Sequence, residues 1–138
     1  MKFRKTDPRA LAPAYATERA ACFDFFACID AQAWPEGVAI APGSTAAIGT
    51  GIAVQAPAGH ALMMYSRYGP GYKYGVRLAN ATSIIDAECK WEIMVSLRND
   101  GKQPFVVRHG DRIAQGMLIA APPVALEEEC SNWPACAP

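Results

Sequence analysis

The sequence predicts an all-β domain, and three observations support that prediction. Gly and Pro, eleven of each in 138 residues, divide the chain at short intervals. Between them lie short apolar or alternating runs, which are typical of β-sandwiches and barrels. Only one stretch, within residues 69–76, is compatible with a helix, and Pro70 and the neighbouring glycines keep that helix short.

The expected strands follow the chain in order. They are residues 23–29, 38–40, 48–54, 61–66, 75–78, 91–97, 105–108 and 112–119. In the run 91–97, alternation places Ile93 and Val95 on one face, with Trp91 expected to join them. Asp100-Gly101 predicts a tight turn after this run, and residues 105–107 are expected to follow as its partner strand. Residues 10–16 are predicted to form an extended arm, because Pro8 and Pro13 break a helix.

Length and charge exclude several classes of protein. The chain suits one domain, and its 13 basic and 13 acidic side chains balance. Without clustered Lys and Arg we expect no nucleic acid and no membrane surface among its partners. No apolar run reaches the roughly 18–20 residues of a membrane helix, and the basic start lacks the apolar centre of a secretory signal. These features predict a cytoplasmic protein.

The five cysteines fit a reduced protein. Their number is odd, no CxxC pair occurs, and the two distant histidines do not complete a zinc site. We expect most of these cysteines to be packing residues. Cys130 and Cys136, close together in the tail, are candidates for a pair under oxidation.

Two acidic residues interrupt apolar runs. Asp24 lies among aromatic residues, and a buried carboxylate needs a partner, a metal-bound water or the surface. A strand-end carboxylate that binds backbone N–H groups is the alternative. Asp86 follows Ile84-Ile85 at a turn, where a carboxylate at a sheet edge suits a general base that orients water. An ordinary turn Asp is the alternative there.

Basic residues mark two turns. Arg67 ends an apolar strand just before Gly69-Pro70-Gly71, and a guanidinium in a glycine-flanked loop suits phosphate. Asp111-Arg112 predicts a hairpin with a structural ion pair. His60 and His109 are interpreted as surface residues. The chain contains no P-loop and no dinucleotide-binding fingerprint.

Four segments, in this order, resemble motifs of the trimeric dUTPase (deoxyuridine triphosphate nucleotidohydrolase) family. Residues 21–27 (ACFDFFA) resemble A-G-x-D-L-x-A, and residues 66–69 (SRYG) resemble P-R-S-G. Residues 80–92 (NATSIIDAECKWE) resemble N-x-x-G-x-I-D-x-D-Y-x-G-E, and residues 110–115 (GDRIAQ) are the closest match. Each motif alone is weak, but four in order with matching spacing indicate the fold. The resemblance covers roughly residues 14–121.

The resemblance implies a jelly-roll-like β-barrel over residues 1–121, followed by a divergent tail, 122–138. It implies a homotrimer whose active sites lie between subunits. Such a site holds a nucleoside triphosphate as its Mg2+ complex, and water attacks the α-phosphorus to release pyrophosphate and dUMP. Phosphoryl chemistry depends mainly on positioning and charge neutralisation, which a carboxylate, a guanidinium and a divalent ion can supply.

Residue roles follow from the motif matches. Asp86 would orient the attacking water at a cleft between protomers, near Arg67. Asn80 and the backbone of the third motif would recognise the pyrimidine edge. The implied site residues are Asp86, Gln115 and Arg67 for catalysis, Asn80, Tyr68, Gly69, Ile85 and Cys89 for substrate binding, and Asp24 for the metal's water shell.

The departures from the family pattern leave two functions open. Tyr68 replaces a Ser that contacts the phosphates, and Cys89 replaces a Tyr that packs under the deoxyribose. The tail lacks the fifth, glycine-rich motif and carries three consecutive Glu at 127–129, with Trp133 as a candidate stacking residue. One function is a dUTPase-like nucleoside triphosphate pyrophosphatase, with dUTP or a related nucleotide as substrate. The alternative is a weak or inactive nucleotide-binding or regulatory protein.

Overall fold

The computed structural model describes residues 1–128 of the chain, and over that range the fold is all-β, as predicted. The elements are β1 Lys2–Lys5, β2 Ala14–Tyr15, β3 Phe23–Phe26, β4 Val38–Ile40, β5 Thr45–Gln55, β6 His60–Tyr65, α1 Tyr68–Tyr74, β7 Val76–Leu78, β8 Thr82–Ile85, β9 Glu92–Asn99, β10 Phe105–Val107 and β11 Arg112–Ala120. The last strand ends at Ala120, and residues 121–128 contain neither helix nor strand.

The strands form three antiparallel sheets. A four-stranded sheet has the order β1-β5-β9-β7, a five-stranded sheet has the order β2-β3-β11-β6-β8, and β10 pairs with β4. One core cluster takes side chains from all three sheets, including the buried Phe25, Ile52 and Val107. Removing these apolar surfaces from water is the main favourable term that holds the sheets together.

Every predicted run contains a strand, and the predicted helix within residues 69–76 is confirmed as α1. The pattern did not reveal β1, β2 or β8. All residues of β1 and β2 are exposed, and those of β8 are exposed or half-buried, so none of them shows an apolar alternation. Helix α1 ends at Gly75, whose φ of 70° lies in the left-handed region. A Cβ there would lie 2.9 Å from the Gly101 nitrogen, so the position requires glycine.

Two expectations about β9 need correction. Ile93 and Val95 are buried as predicted, but Trp91 precedes the strand and is 80% exposed. Strand β10 does not pair with β9, which lies between β5 and β7. It pairs instead with β4. The Nδ2 atom of Asn99 donates to the Ile40 and Gln103 carbonyls, both at 2.8 Å, and this joins the chain after β9 to β4.

The N-terminal segment is not helical, as predicted, but it is attached to the barrel. Ala10 is buried, and residues 14–15 form β2 against β3. Arg9 bridges Asp7 at 2.7 Å and Asp30 at 2.9 Å. Its hydrogen bonds lower the pKa of Asp7 to about 2. Within the described residues, no helix has the length and apolar character needed to cross a membrane.

Candidate functional site

Asp24 lies buried beside two guanidinium groups. Strands β3 and β11 are neighbours, and Asp24, which is 5% exposed, is opposite Gln115. The Arg67 Nε is 3.0 Å from Asp24 Oδ1, and the Arg112 Nη1 is 3.5 Å from Oδ2. A carboxylate this buried is costly without a counter-charge, and the two cations offset that cost. Asp24 therefore has charged partners, and the alternative of a carboxylate bound to backbone N–H groups is not observed among the described residues.

The Arg67–Asp24 contact is an ion pair that lacks hydrogen-bond alignment. The Arg67 Nε is buried and, within residues 1–128, has no aligned hydrogen-bond acceptor, although Asp24 Oδ1 lies 3.0 Å away. A charge at that distance attracts without good alignment, but the N–H group is left without a full hydrogen bond. The contact between Arg67 and Asp24 is therefore electrostatic in the main, with a poorly aligned hydrogen bond.

Gln115 connects the fourth motif to the second. Strand β11 also pairs with β6, which places Gln115 opposite Tyr65. The Gln115 Nε2 donates to the Ser66 carbonyl at 2.9 Å, and the Ser66 Oγ accepts from the Leu78 N–H at 2.9 Å. The residue preceding Arg67 is thus held by both β11 and β7. These bonds fix where the Arg67 side chain leaves the backbone.

The predicted Asp111–Arg112 ion pair is wrong. Asp111 accepts from the Arg108 N–H at 2.7 Å and closes the turn, while Arg112 extends to Asp24. Successive side chains along an extended chain point to opposite sides, so neighbours there rarely pair. Arg112 therefore belongs to the Asp24 cluster, and the sequence analysis had assigned it a different partner. Its place in the fourth motif was the available signal.

A cavity of about 320 Å³ lies beside this cluster. Three guanidinium groups line it, those of Arg67, Arg77 and Arg112, together with one carboxylate, that of Asp111. Its apolar lining includes Tyr74 and Phe105. Asp24 pairs with Arg67 and Arg112, and Asp100 pairs with Arg77, so these carboxylates offset much of the positive charge. The lining nevertheless presents guanidinium groups, which can donate hydrogen bonds to an anionic ligand.

The third motif includes strand β8, which forms the edge of the five-stranded sheet beside β6. Strand β8 pairs with β6 so that Thr82 is opposite Tyr65 and Ile85 is opposite Leu62. Asp86 follows Ile85 and is exposed at the edge, as predicted. At about 3.3 Å per residue, this register separates Asp86 from Arg67 by on the order of 20 Å within one chain.

The remaining third-motif residues are divided between the two ends of β8. Asn80 lies before the strand and donates to the Ser83 hydroxyl at 2.8 Å. Cys89 follows it and lines a second cavity of about 280 Å³ together with Lys2, Arg4 and Lys90. One chain therefore brings together Asp24, Arg67, Arg112 and Gln115. It does not bring Asp86, Ile85 or Cys89 to them.

Tyr68 and Gly69 lie at the start of α1, next to the cluster. Tyr68 is 75% exposed, and its ring stacks on that of Tyr72. A Cβ added at Gly69 would have no heavy atom within 4 Å, so the backbone there faces open space. The Tyr68 ring thus packs along the helix surface.

The described cysteines, Cys22, Cys28 and Cys89, are free. Burial raises the pKa of the Cys28 thiol, and the nearby Asp7 carboxylate adds to the effect. Cys28 is therefore a protonated packing residue at neutral pH, as expected. The Cys130–Cys136 pair and Trp133 lie outside the described residues.

The family model described as dUTPase matches residues 9–132. The deoxyuridine 5'-triphosphate nucleotidohydrolase of Desulfotalea psychrophila (strain LSv54 / DSM 12343) is 41% identical over 119 residues, which are 86% of this chain and 74% of that relative. Among solved structures, the dUTPase from phage phi11 of S. aureus has a TM-score of 0.80 at 20% identity, covering 96% of this chain and 97% of that one. A mutant of that phage enzyme, described with a coordinated structural Mg(II) ion, has a TM-score of 0.79 at 19% identity, covering 96% and 98%. The match across most of the chain agrees with the motif order and with the barrel, and this chain belongs to the dUTPase family.

Proposed function

We propose that this chain hydrolyses dUTP to dUMP and pyrophosphate. The observation that supports this most directly is the meeting of the first, second and fourth motifs in one cluster, formed by Asp24, Arg67 and Gln115. The chain belongs to the dUTPase family, and its 41% identical relative is a deoxyuridine 5'-triphosphate nucleotidohydrolase. Residues 1–121 would form the catalytic barrel, with 122–138 as its tail.

The arginines of the cluster are suited to the phosphates. The Arg67 side chain is 22% exposed, and half of the Arg112 side chain is exposed to solvent. Guanidinium groups bind phosphate oxygens through charge-assisted hydrogen bonds. Gln115 uses one amide N–H on the Ser66 carbonyl and retains a second donor. Tyr68 and Gly69 would lie beside the same phosphates, where Gly69 leaves room for a close approach.

The donor set fits a magnesium ion that arrives with the triphosphate. Among the described residues, no group of three or more His, Cys, Asp or Glu side chains could hold a metal. Asp24 supplies one carboxylate to the cluster, and Mg2+ typically keeps several waters while binding substrate phosphates. As the resemblance implies, Asp24 would lie near the metal's water shell without binding the ion directly, while its two oxygens pair with Arg67 and Arg112. When bound, the ion neutralises charge on the phosphates.

Asp86 would act as the base that orients the attacking water. Its exposure at the sheet edge allows a water to approach, but Arg67 of the same chain lies on the order of 20 Å away. A site that uses both residues needs Asp86 from another copy of the chain, and we propose the homotrimer that the family resemblance implies. Asn80, Ile85 and Cys89 would then bind the nucleoside at the same interface.

The experiment is pyrophosphate release from a panel of deoxy- and ribonucleoside triphosphates with Mg2+. We expect turnover of dUTP that a chelator abolishes and that Asp86→Asn lowers roughly 100-fold or more, because a positioned general base contributes about 10²–10⁴ in rate. Glu36→Gln, which removes an equal charge from an exposed turn, is the matched control and should leave the rate unchanged. Nucleotide binding without turnover would favour the alternative binding or regulatory role.

The cytoplasmic location remains part of this proposal. The free, packed cysteines support it. The balanced charge supports a partner set that consists of the nucleotide and further copies of the chain, without nucleic acid or membrane.

A further inference from the structure

Strand β5 contains a bulge opposite the start of β9. The pairing shifts between Gly49 and Ala53, so that residues 50–52 of β5 lie opposite one residue of β9, Ile93. Gly51, inside the bulge, is buried and has a φ of 63°. A bulge interrupts the ladder of backbone hydrogen bonds, so its buried N–H groups need other acceptors.

Side chains supply those acceptors. The Thr50 hydroxyl accepts from the Ile52 N–H at 3.2 Å, and the Glu92 Oε1 accepts from the Gly51 N–H at 2.8 Å. Gly49 leaves the space that the Glu92 side chain occupies, because a Cβ at Gly49 would lie 2.7 Å from Glu92 Oε1. The two glycines therefore form a socket for the Glu92 carboxylate.

Glu92 also ends the loop that carries Asp86. One end of this loop, residues 86–91, continues from β8, which is paired with β6. At the other end the Arg4 Nη2 donates to the Lys90 carbonyl at 3.3 Å, and Glu92 makes its shorter bond to the bulge. The Arg4 bond is exposed to solvent, whereas the donor residue in the bulge is buried, so the Glu92 bond is the firmer attachment of this end.

We propose that Glu92 is a positioning residue that holds the Asp86 loop in place through its bond to the Gly51 N–H. This inference rests on the proposed function, in which Asp86 orients the attacking water. Without the bond the loop can shift, and a displacement of about 1 Å at a reacting group can cost about 10²-fold in rate. Asn80 and Ile85 lie at the other end of the loop, so nucleotide binding depends less on Glu92.

The first test compares two substitutions of Glu92 at saturating dUTP with Mg2+. Glu92→Ala should lower kcat roughly 10- to 100-fold and leave the affinity for a non-hydrolysable imido analogue of dUTP within about threefold of wild type. Glu92→Gln keeps an oxygen acceptor at the same place, so its kcat should stay within about threefold of wild type.

Gly49→Ala tests the same contact without changing Glu92. The φ of Gly49 lies outside the left-handed region, so alanine fits the backbone there. Its methyl group would occupy the place of the Glu92 Oε1 and displace the carboxylate from the Gly51 N–H. We expect kcat to fall as in Glu92→Ala.

Hydrogen exchange of the nucleotide-free protein reports the attachment without any turnover. In Glu92→Ala and Gly49→Ala, peptides that contain residue 51 and residues 86–91 should exchange faster than in wild type. Asp30→Ala is the matched control, because it also removes a carboxylate that accepts from a backbone N–H, that of Gln32 at 2.9 Å. It should change neither kcat nor this exchange.

Several results would overturn the positioning role. Wild-type kcat and unchanged loop exchange in Glu92→Ala would exclude it and keep the proposed function. An equal fall in Glu92→Gln would assign the effect to the charge of Glu92, and an equal fall in Asp30→Ala would assign it to general stability. If the wild-type chain does not turn over dUTP, the proposed function fails. Loop exchange then decides the attachment alone: faster exchange in Glu92→Ala keeps it, and unchanged exchange removes it.

Discussion

Asp24 has the least exposed carboxylate of the candidate site, and its partners come from distant parts of the chain. The residues around it show that it needs a partner, because an acid among aromatic residues is costly to bury. They do not show which partner, since Arg67 and Arg112 reach it only through the pairing of β3, β11 and β6. The nearer candidate for Arg112, Asp111, is instead used by the turn.

Replacing the Asp24 carboxylate tests how much it contributes to the free energy of unfolding. Asp24→Asn leaves the guanidinium groups of Arg67 and Arg112 without their counter-charge. We expect a loss of on the order of 2 kcal/mol in the free energy of unfolding, less than for a fully buried pair because half of the Arg112 side chain is in solvent. Urea denaturation at neutral pH measures it.

Asp30→Asn is the matched control for that measurement, since it removes a carboxylate from a solvent-exposed pair with Arg9. Exposed pairs contribute little, so its unfolding midpoint should stay close to wild type. Equal midpoints for the two variants would show that the Asp24 cluster has no special role in stability.

At the level of elements, local alternation predicts a strand and its buried face but not its neighbours. The face of β9 that bears Ile93 and Val95 was predictable because period-two burial is a local property. Trp91 is an even number of residues from Ile93, so alternation assigned it to the same buried face. It is exposed because it lies before the strand begins. The partner of β10 depends on a distant contact that no local pattern contains. Strand β8 is exposed or half-buried throughout, and its pattern did not predict a strand. The local pattern singled out Asp86 as an acid at a sheet edge, and the rest of the third motif was found through the resemblance.

The Asn99 side chain links β4 to the segment before β10, and a conservative substitution tests how much this link contributes to stability. This fully buried side chain donates to the Ile40 and Gln103 carbonyls and accepts from the Gly101 N–H at 2.9 Å. Asn99→Asp removes both donated bonds and places a carboxylate beside two carbonyl oxygens. We expect a loss of on the order of 3 kcal/mol in the free energy of unfolding, measured by chemical denaturation.

Asn80→Asp gives the comparison for Asn99→Asp. The Asn80 amide also donates one hydrogen bond, to Ser83, but it is exposed, so water can replace the lost partner. Its stability should change much less. A similar loss in both variants would contradict the assignment of Asn99 as the residue that fixes the β4–β10 pairing.

For the whole molecule, the central question is how Asp86 could come close to the cluster that contains Asp24, Arg67 and Gln115. The resemblance implies a site between subunits, and the separation of Asp86 from Arg67 within one chain is consistent with that expectation. The β6–β8 register places Asp86 and Arg67 at opposite ends of a strand pair, and strands do not fold back over such a distance. Neither composition nor motif spacing predicts the distance between Asp86 and Arg67. It appears only when the register is known.

Mixing two inactive variants tests this assembly directly. Asp86→Asn lacks the base, and Gln115→Ala lacks a phosphate contact, so each alone should be nearly inactive. If every site combines Asp86 of one chain with Gln115 of another, co-refolding equal amounts restores about a quarter of the sites by random assortment of chains. The dUTP turnover of the mixture should then reach about a quarter of the wild-type rate.

Mixing Asp86→Asn with a chain that carries both substitutions provides no intact Asp86 and should restore no activity. A mixture of the two single variants that stays as inactive as its parts would place the whole site within one chain, against the register of β6 and β8.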